Sequence, residues 1–291
     1  MQDIFLKGIK ELIMDWIYGK TVLITGASSG IGRSLTVQLI REHNCKVIGI
    51  GQSEAKMKSI MDELSYQRDA FIYKIFDVSD QASWKNFAWE LQETNIKVDI
   101  LLNNAGMMPP FDKALNYSEE MIERCFDVNF HACRYAIKAM LPILRHSTMP
   151  AIINISSADA LAAIVGTSVY AASKAAIKAY TEALIGELGR EMYIGYICPG
   201  FVRTDIFRNQ YFVSNTRLIK MMSTDVDKMA HKMIKRMIKQ KARSIIGKDA
   251  KFMNFTSKFF PVLGLKFYEI IIKHYNVKLS DSSAGSNTRP S

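Results

Sequence analysis

The chain of 291 residues carries 38 Lys and Arg against 28 Asp and Glu, with 48% apolar and 23% charged residues. That balance belongs to a folded globular protein and excludes a disordered or fibrous one. No run of about 18 uncharged apolar residues occurs, which excludes a membrane-spanning helix.

Taken in chain order, the first expected element is an amphipathic helix over 1–18. Phe5, Ile9, Leu12, Ile13, Trp16 and Ile17 recur at helical spacing, and Asp3, Lys7, Lys10, Glu11 and Asp15 between them break any signal-peptide core. Short apolar runs then alternate with helical patterns. Strands are expected at Thr21–Thr25, Lys46–Ile50, Ala70–Phe76, Ile100–Asn103, Ala151–Ile155, Tyr193–Cys198 and Ser244–Gly247. Helices are expected near 30–42, 54–65, 80–94, 119–145, 168–190 and 224–240, the last opening at Ser223-Thr224 with Asp227 in its first turn. Strands too apolar to have a wet face argue for an α/β fold, a parallel sheet of about seven strands with helices on both faces.

This pattern makes 19–250 a single domain, followed by a basic and aromatic helical extension over 251–279 and a tail over 280–291 of disordered composition. The positive charge is concentrated: residues 217–278 hold 15 Lys and Arg with four acids, whereas 1–216 hold 22 with 23 acids. A localised basic face attracts acidic partners or a membrane surface, although a solvated Lys-rich helix face is the plainer reading. For the apolar residues of the two ends, from Phe5 to Ile17 and from Phe252 to Ile272, packing within the chain is favoured because it needs no partner. Peripheral membrane contact is the alternative.

Two constellations carry chemistry. Strand Thr21–Thr25 runs into Thr25-Gly26-Ala27-Ser28-Ser29-Gly30-Ile31-Gly32 and then a helix, a turn that lets a pyrophosphate approach free helix N–H groups. Tyr170 and Lys174, at i and i+4, share a helix face, and an ammonium beside a phenol favours its ionised form, so a Tyr170 pKa below the usual range is expected. Ser157, thirteen residues before Tyr170, follows an expected strand at the end where α/β folds bind ligands. The four cysteines, 45, 125, 133 and 198, form no CxxC and lie near no metal-spaced His pair, so no metal is expected. They read as reduced thiols of a cytoplasmic protein.

With Asp77-Val78, Asn103–Gly106 (NNAG), Asn129, and Pro199-Gly200 with Val202 and Thr204 at matching intervals, the sequence from about 19 to 247 resembles the short-chain dehydrogenase/reductase family. The resemblance implies a Rossmann-type doubly wound sheet and an NAD(P)(H)-dependent enzyme interconverting a secondary alcohol and a ketone. It implies Ser157 holding the substrate oxygen, Tyr170 as general acid/base, Lys174 on the nicotinamide ribose and Asn129 positioning a relay water. It further implies cofactor contacts from Gly26, Ser28, Ser29, Gly30, Ile31, Gly32, Gln52, Asp77, Val78, Asn103, Ala105, Gly106, Tyr170, Lys174, Pro199, Gly200, Val202 and Thr204. Relatives commonly pair through helices matching 119–145 and 168–190, which implies a homodimer or homotetramer.

Neither an acid at Gly51 nor an arginine at Gln52 follows the second strand, so NAD(H) is favoured over NADP(H), with Lys56 or Arg33 able to reverse this. Asp205–Ser223 is rich in apolar and aromatic residues and the stretch 158–169 is small and apolar apart from Asp159, which suits a bulky hydrophobic ketone or alcohol, a steroid being the most specific expectation. Two other readings stand beside a hydroxysteroid-type dehydrogenase. One is a 3-oxoacyl reductase docking an acidic carrier on Lys228, Lys232, Lys235, Arg236 and Lys239. The other is a nucleotide-binding protein without catalysis.

Overall fold

A computed structural model describes residues 15–202 and 223–274. All seven expected strands form: β1 (Thr21–Thr25), β2 (Lys46–Gly51), β3 (Phe71–Ile75), β4 (Ile100–Asn103), β5 (Ala151–Ile155), β6 (Tyr193–Pro199) and β7 (Arg243–Ile246). They make one sheet in the order β3-β2-β1-β4-β5-β6-β7, and every pairing is parallel. The helices between them are α1 (Gly30–His43), α2 (Glu54–Leu64), α3 (Gln81–Glu93), α4 (Glu119–Phe126), α5 (Ala132–Leu144), α6 (Ser168–Leu188) and α7 (Val226–Ile238).

The pleat divides the core in two. Val22, Ile24, Ile100, Leu102 and Ile153 face one side, where Leu35, Leu39, Met57, Met233 and Met237 of α1, α2 and α7 cover them. Leu23, Leu101 and Ile152 face the other, against Trp84, Phe87, Ala136, Met140 and Leu184 of α3, α5 and α6. Alternate residues of one strand thus feed two cores, which is why the strands read as continuous apolar runs.

Three details depart from the sequence expectation. The helix expected over 119–145 contains a π-helical turn at Asp127–His131 between α4 and α5. The helix expected to open at Ser223-Thr224 starts at Val226, because Thr224 pairs with Val202 as an isolated bridge and Asp225 accepts from the amides of Asp227 and Lys228 instead. The amphipathic helix expected over 1–18 falls mostly outside the described residues, and its end is a turn in which Lys20 N donates to Ile17 O. There Ile17 is fully buried and Trp16 Nε1 donates to the carbonyls of Met237 and Ile238 at the end of α7.

The C-terminal extension is two helices, α8 (Lys248–Phe259) and α9 (Pro261–His274). Packing holds for only part of it: Ala250, Met253 and Tyr268 are buried against Ala158 and Ala162, while Phe252, Phe255, Phe259, Phe260, Leu263, Leu265, Phe267 and Ile270 stay exposed. One hairpin face meets the domain, and its apolar residues outnumber the places on that face.

Candidate active site

The glycine turn lies between β1 and α1. Gly26 and Gly30 have φ of 67° and 52°, a region that costs other residues steric strain. A Cβ on Gly26 would stand 2.9 Å from Ala105 Cα, and one on Gly32 would stand 2.1 Å from the Gly26 carbonyl oxygen. The turn is clamped from β4: Thr25 Oγ1 accepts from the amides of Asn104 and Ala105, both at 3.0 Å, and Asn104 Nδ2 donates to Thr25 O. Asn104 was not singled out in the sequence; its neighbour Asn103 was, and Asn103 Nδ2 instead donates to Asn154 Oδ1 across the sheet. Ser29, at the N-cap of α1, makes no capping bond with its side chain. A narrow turn opened by two glycines, leading into a helix whose N-cap side chain makes no capping bond, fits a pyrophosphate.

Around that turn, Gln52 is exposed after β2. Ser28 sits close enough that a Cβ on Gly51 would stand 3.2 Å from its Cβ. Val78 is buried and its carbonyl accepts from Trp84 Nε1 at 2.8 Å. Asp77 accepts from Ser79 N and Oγ and from Arg124 Nη2 at 2.6 Å. Burial pushes the Asp77 carboxyl up, but the Ser79 bonds and Arg124 more than offset this and hold it below the usual range. Arg33, a candidate 2′-phosphate partner, is ion-paired with Glu63 instead.

The chemistry gathers where β4, β5 and β6 end. Ser157 follows β5, and its Oγ accepts from Asp159 N at 3.1 Å. Tyr170 and Lys174 project from α6 and are almost wholly buried. The phenol and the Ser157 hydroxyl line one cavity, whereas Lys174 Nζ donates to Ile155 O at 3.1 Å and lies 5.9 Å from the Tyr170 ring centroid. The expected lowering of the phenol pKa is not found. Burial pushes Tyr170 well above the usual phenol range, and the neighbouring Ser157 hydroxyl offsets only part of that. The same burial pulls Lys174 down to about 8. In a dry site each group resists its charged form, so Tyr170 holds its proton at neutral pH.

Asn129, in the π-helical turn, is fully committed to protein partners. Its Oδ1 accepts from Met107 N at 2.8 Å, and its Nδ2 donates to Met107 O and Ser173 Oγ. This brace carries Gly106 past Lys174, where a Cβ would stand 3.0 Å from Nζ and 3.2 Å from Asn129 Oδ1. The Asn129 side chain thus braces the chain at Met107 against α6.

Above Ser157 and Tyr170 opens a cavity of about 100 Å³ lined by Ile31, Met108, Phe111, Asp159, Ile164, Pro199, Gly200, Phe201, Val202 and Met253. Thr167 and Asp159 add polar groups to it; Asp159 Oδ1 accepts from Ile164 N at 2.9 Å while Oδ2 has no partner. Thr167 Oγ1, close to that carboxyl, donates to Ile164 O instead. Burial raises the Asp159 carboxyl to about 7. Pro199-Gly200 ends β6 against Asp249 of α8, which accepts from Phe201 N and stands where any Gly200 side chain would be, 2.2 Å from its Cβ. Asp249 had no local signal in the sequence. Thr204 and the apolar stretch 205–222 lie outside the described residues. The four cysteines are free and buried; burial pushes Cys45 and Cys133 up to about 12 and Cys198 to about 11, so none is a nucleophile.

Comparison with known proteins agrees with this geometry. The short chain dehydrogenase family profile matches residues 20–212. A benzil reductase of Saccharomyces cerevisiae that forms (S)-benzoin is 32% identical over 195 residues, covering 65% of this chain and 73% of its own. An 11-beta-hydroxysteroid dehydrogenase A of Sesamum indicum is 28% identical over 251 residues, covering 83% and 69%. The fold is shared with the crystal structure of a short-chain dehydrogenase from Streptomyces avermitilis, at a TM-score of 0.72, 24% identity, and coverage of 88% of this chain and 98% of that one. The chain belongs to the short-chain dehydrogenase family and is an NAD(P)-dependent oxidoreductase acting on a carbonyl or alcohol.

Proposed function

We propose that the protein reduces a ketone on a bulky apolar substrate, with NADH as the favoured cofactor. The observation that carries this is a buried phenol, Tyr170, lining one largely apolar cavity together with the Ser157 hydroxyl. Ser157 Oγ orients the carbonyl oxygen and Tyr170 delivers a proton to it. Lys174, anchored on Ile155 O, places a positive charge under the ribose side and stabilises the phenolate left behind. A bound nicotinamide supplies the hydride. The glycine turn and Asn104 shape the pyrophosphate end, and Gln52 meets the adenosine ribose, where a neutral amide suits a diol better than a phosphate dianion.

Two names among the relatives, a benzil reductase and a hydroxysteroid dehydrogenase, support bulky apolar ketones, with steroids as the finer expectation. The basic groove on α7 and α8, with Lys232, Lys235, Arg236 and Lys239, favours a second reading, a reductase of carrier-bound 3-oxoacyl thioesters. The free thiols fit a reducing cytoplasm. Half-buried Phe130, Tyr135 and Tyr180 on the π-helical turn, α5 and α6 suit pairing of two copies there. The deciding assay follows cofactor absorbance with aryl diketones, steroid ketones and acyl thioesters, using each nicotinamide in turn. Turnover confined to thioesters would replace the ketone reading, and no turnover of any carbonyl would defeat both.

A further inference from the structure

The helical hairpin α8–α9 is held together and held to the domain by a few well-made contacts. Thr256 Oγ1 and Tyr268 OH lie 2.5 Å apart, and a Cβ on Gly264 would stand 3.0 Å from Thr256 Cβ, so the helices cross closely. Met253 and Tyr268 are buried against the turn that follows Ser157. The outer face is different. Phe255, Phe259, Phe260, Val262, Leu263 and Ile270 are exposed, with Phe259 at 65%, Leu263 at 66% and Ile270 at 65%. Single exposed apolar residues are ordinary, but a contiguous set on one hairpin marks an interaction surface.

Lysines decide what that surface meets. Lys251, Lys258 and Lys266 stand within the hairpin, and a groove lined by Lys232, Lys235, Arg236, Lys239, Lys248 and Lys251 adjoins it. None of the groove's cations forms an ion pair among the described residues. A second copy docked face to face would bring two lysine-rich patches together, a like-charge contact. An anionic lipid surface instead accepts aromatic and aliphatic side chains below its headgroups while its charge meets the lysines.

We propose that the α8–α9 hairpin seats the protein on an anionic membrane surface, with Phe255, Phe259, Phe260 and Leu263 inserted and the lysine groove against the headgroups. No helix is long and apolar enough to cross a membrane among the described residues, so the hairpin lies in the interface plane. The placement has a use that rests on the apolar-ketone reading: Met253 of α8 lines the substrate cavity while Phe252 and Phe255 of the same helix face outward. A substrate dissolved in the lipid then reaches the cavity along one helix without crossing water.

The test uses the full chain, floated with phosphatidylcholine vesicles with and without phosphatidylserine, at low and high salt. Wild type is expected to float only with phosphatidylserine and to bind about tenfold or more weakly at high salt. A Phe259→Ser/Leu263→Ser variant and a Lys251→Glu/Lys258→Glu variant are each expected to lose binding by about tenfold or more. Both should retain circular dichroism and reduction of a water-soluble ketone. Failure to float at low salt, equal binding to neutral vesicles, or unchanged binding by either variant overturns the proposal. Sedimentation of wild type as an oligomer that Phe259→Ser/Leu263→Ser dissociates, without vesicle binding, assigns the face to a second copy instead. Flotation needs no substrate, so a protein that floats but reduces no carbonyl breaks the catalytic reading and leaves this one standing.

Discussion

Tyr170 loses only its hydroxyl in Tyr170→Phe, and the buried ring keeps its packing. General acid catalysis contributes roughly 10²–10⁴-fold, so kcat should fall by that range while cofactor binding, read by fluorescence titration, stays close to wild type. A variant keeping more than about a tenth of wild-type kcat removes Tyr170 from the reaction. Asp159 gives a prediction of a different kind. Its carboxyl titrates near 7 in the folded chain against an ordinary 3.8. Between those values the native state keeps a proton that the unfolded chain has released, so wild type loses stability as pH rises from about 4 to about 7. Asp159→Asn lacks this term: its melting temperature should match wild type near pH 4 and exceed it increasingly up to pH 7. Parallel melting curves across that range would show that the carboxyl is not desolvated. At the cofactor end, Gln52→Arg adds a bidentate phosphate partner and should raise kcat/KM for NADPH relative to NADH. A wild type that already prefers NADPH strongly would defeat the NAD(H) reading. Ser157, Tyr170 and Lys174 were legible because their spacing is local to one strand end and one helix. Asn104, Asp249 and the buried state of Asp159 were not, since each depends on what distant chain packs against it.

At the scale of elements, the seam between α7 and the start of the described chain is a small interface with a large residue in it. Trp16 donates to two carbonyls at the end of α7 and meets Tyr193 edge to face, with ring centroids 6.0 Å apart. Trp16→Ala should cost about 3 kcal/mol of unfolding free energy, the low end for large-to-small changes at a partly exposed site, and urea denaturation would measure it. A loss under about 0.5 kcal/mol, within the range of ordinary surface changes, would mean the seam is not a stabilising contact. The strands were legible because both faces of each are apolar, as parallel strands between two helix layers must be. The π-helical turn was not: Asp127–His131 has ordinary helical composition, and the extra residue per turn is held by Asn129 bonding to Met107 and Ser173, partners 22 and 44 residues away.

Over the whole molecule, the charge asymmetry seen in the sequence becomes a spatial one. The lysine groove lies between α7, β7 and α8, at the β7 end of the sheet, while the glycine turn follows β1 at its middle. Composition alone located the cations, but only the fold shows that they adjoin an exposed apolar hairpin. The expectation that both ends of the chain bury their apolar faces failed at the α8–α9 hairpin for a reason of geometry. A two-helix hairpin laid on a finished α/β domain presents one side to it, and Phe259, Leu263 and Ile270 fall on the other.

The place of β1 in the sheet has a consequence for how the chain folds. Every strand but one pairs with the strand before it in sequence; β4 instead returns past β3 and β2 to lie on β1, joining Val22 to Ile100 and Leu23 to Leu101. That is the one distant closure the sheet requires, and closing a long loop costs entropy before any contact rewards it. Until it happens, β1–β3 form a three-stranded sheet whose open edge is the apolar run Val22-Leu23-Ile24, a template for pairing with the wrong chain. The return of β4 covers that edge and, in the same step, brings Asn104 to Thr25. The interval between the completion of β3 and the arrival of β4 is therefore where aggregation competes with folding.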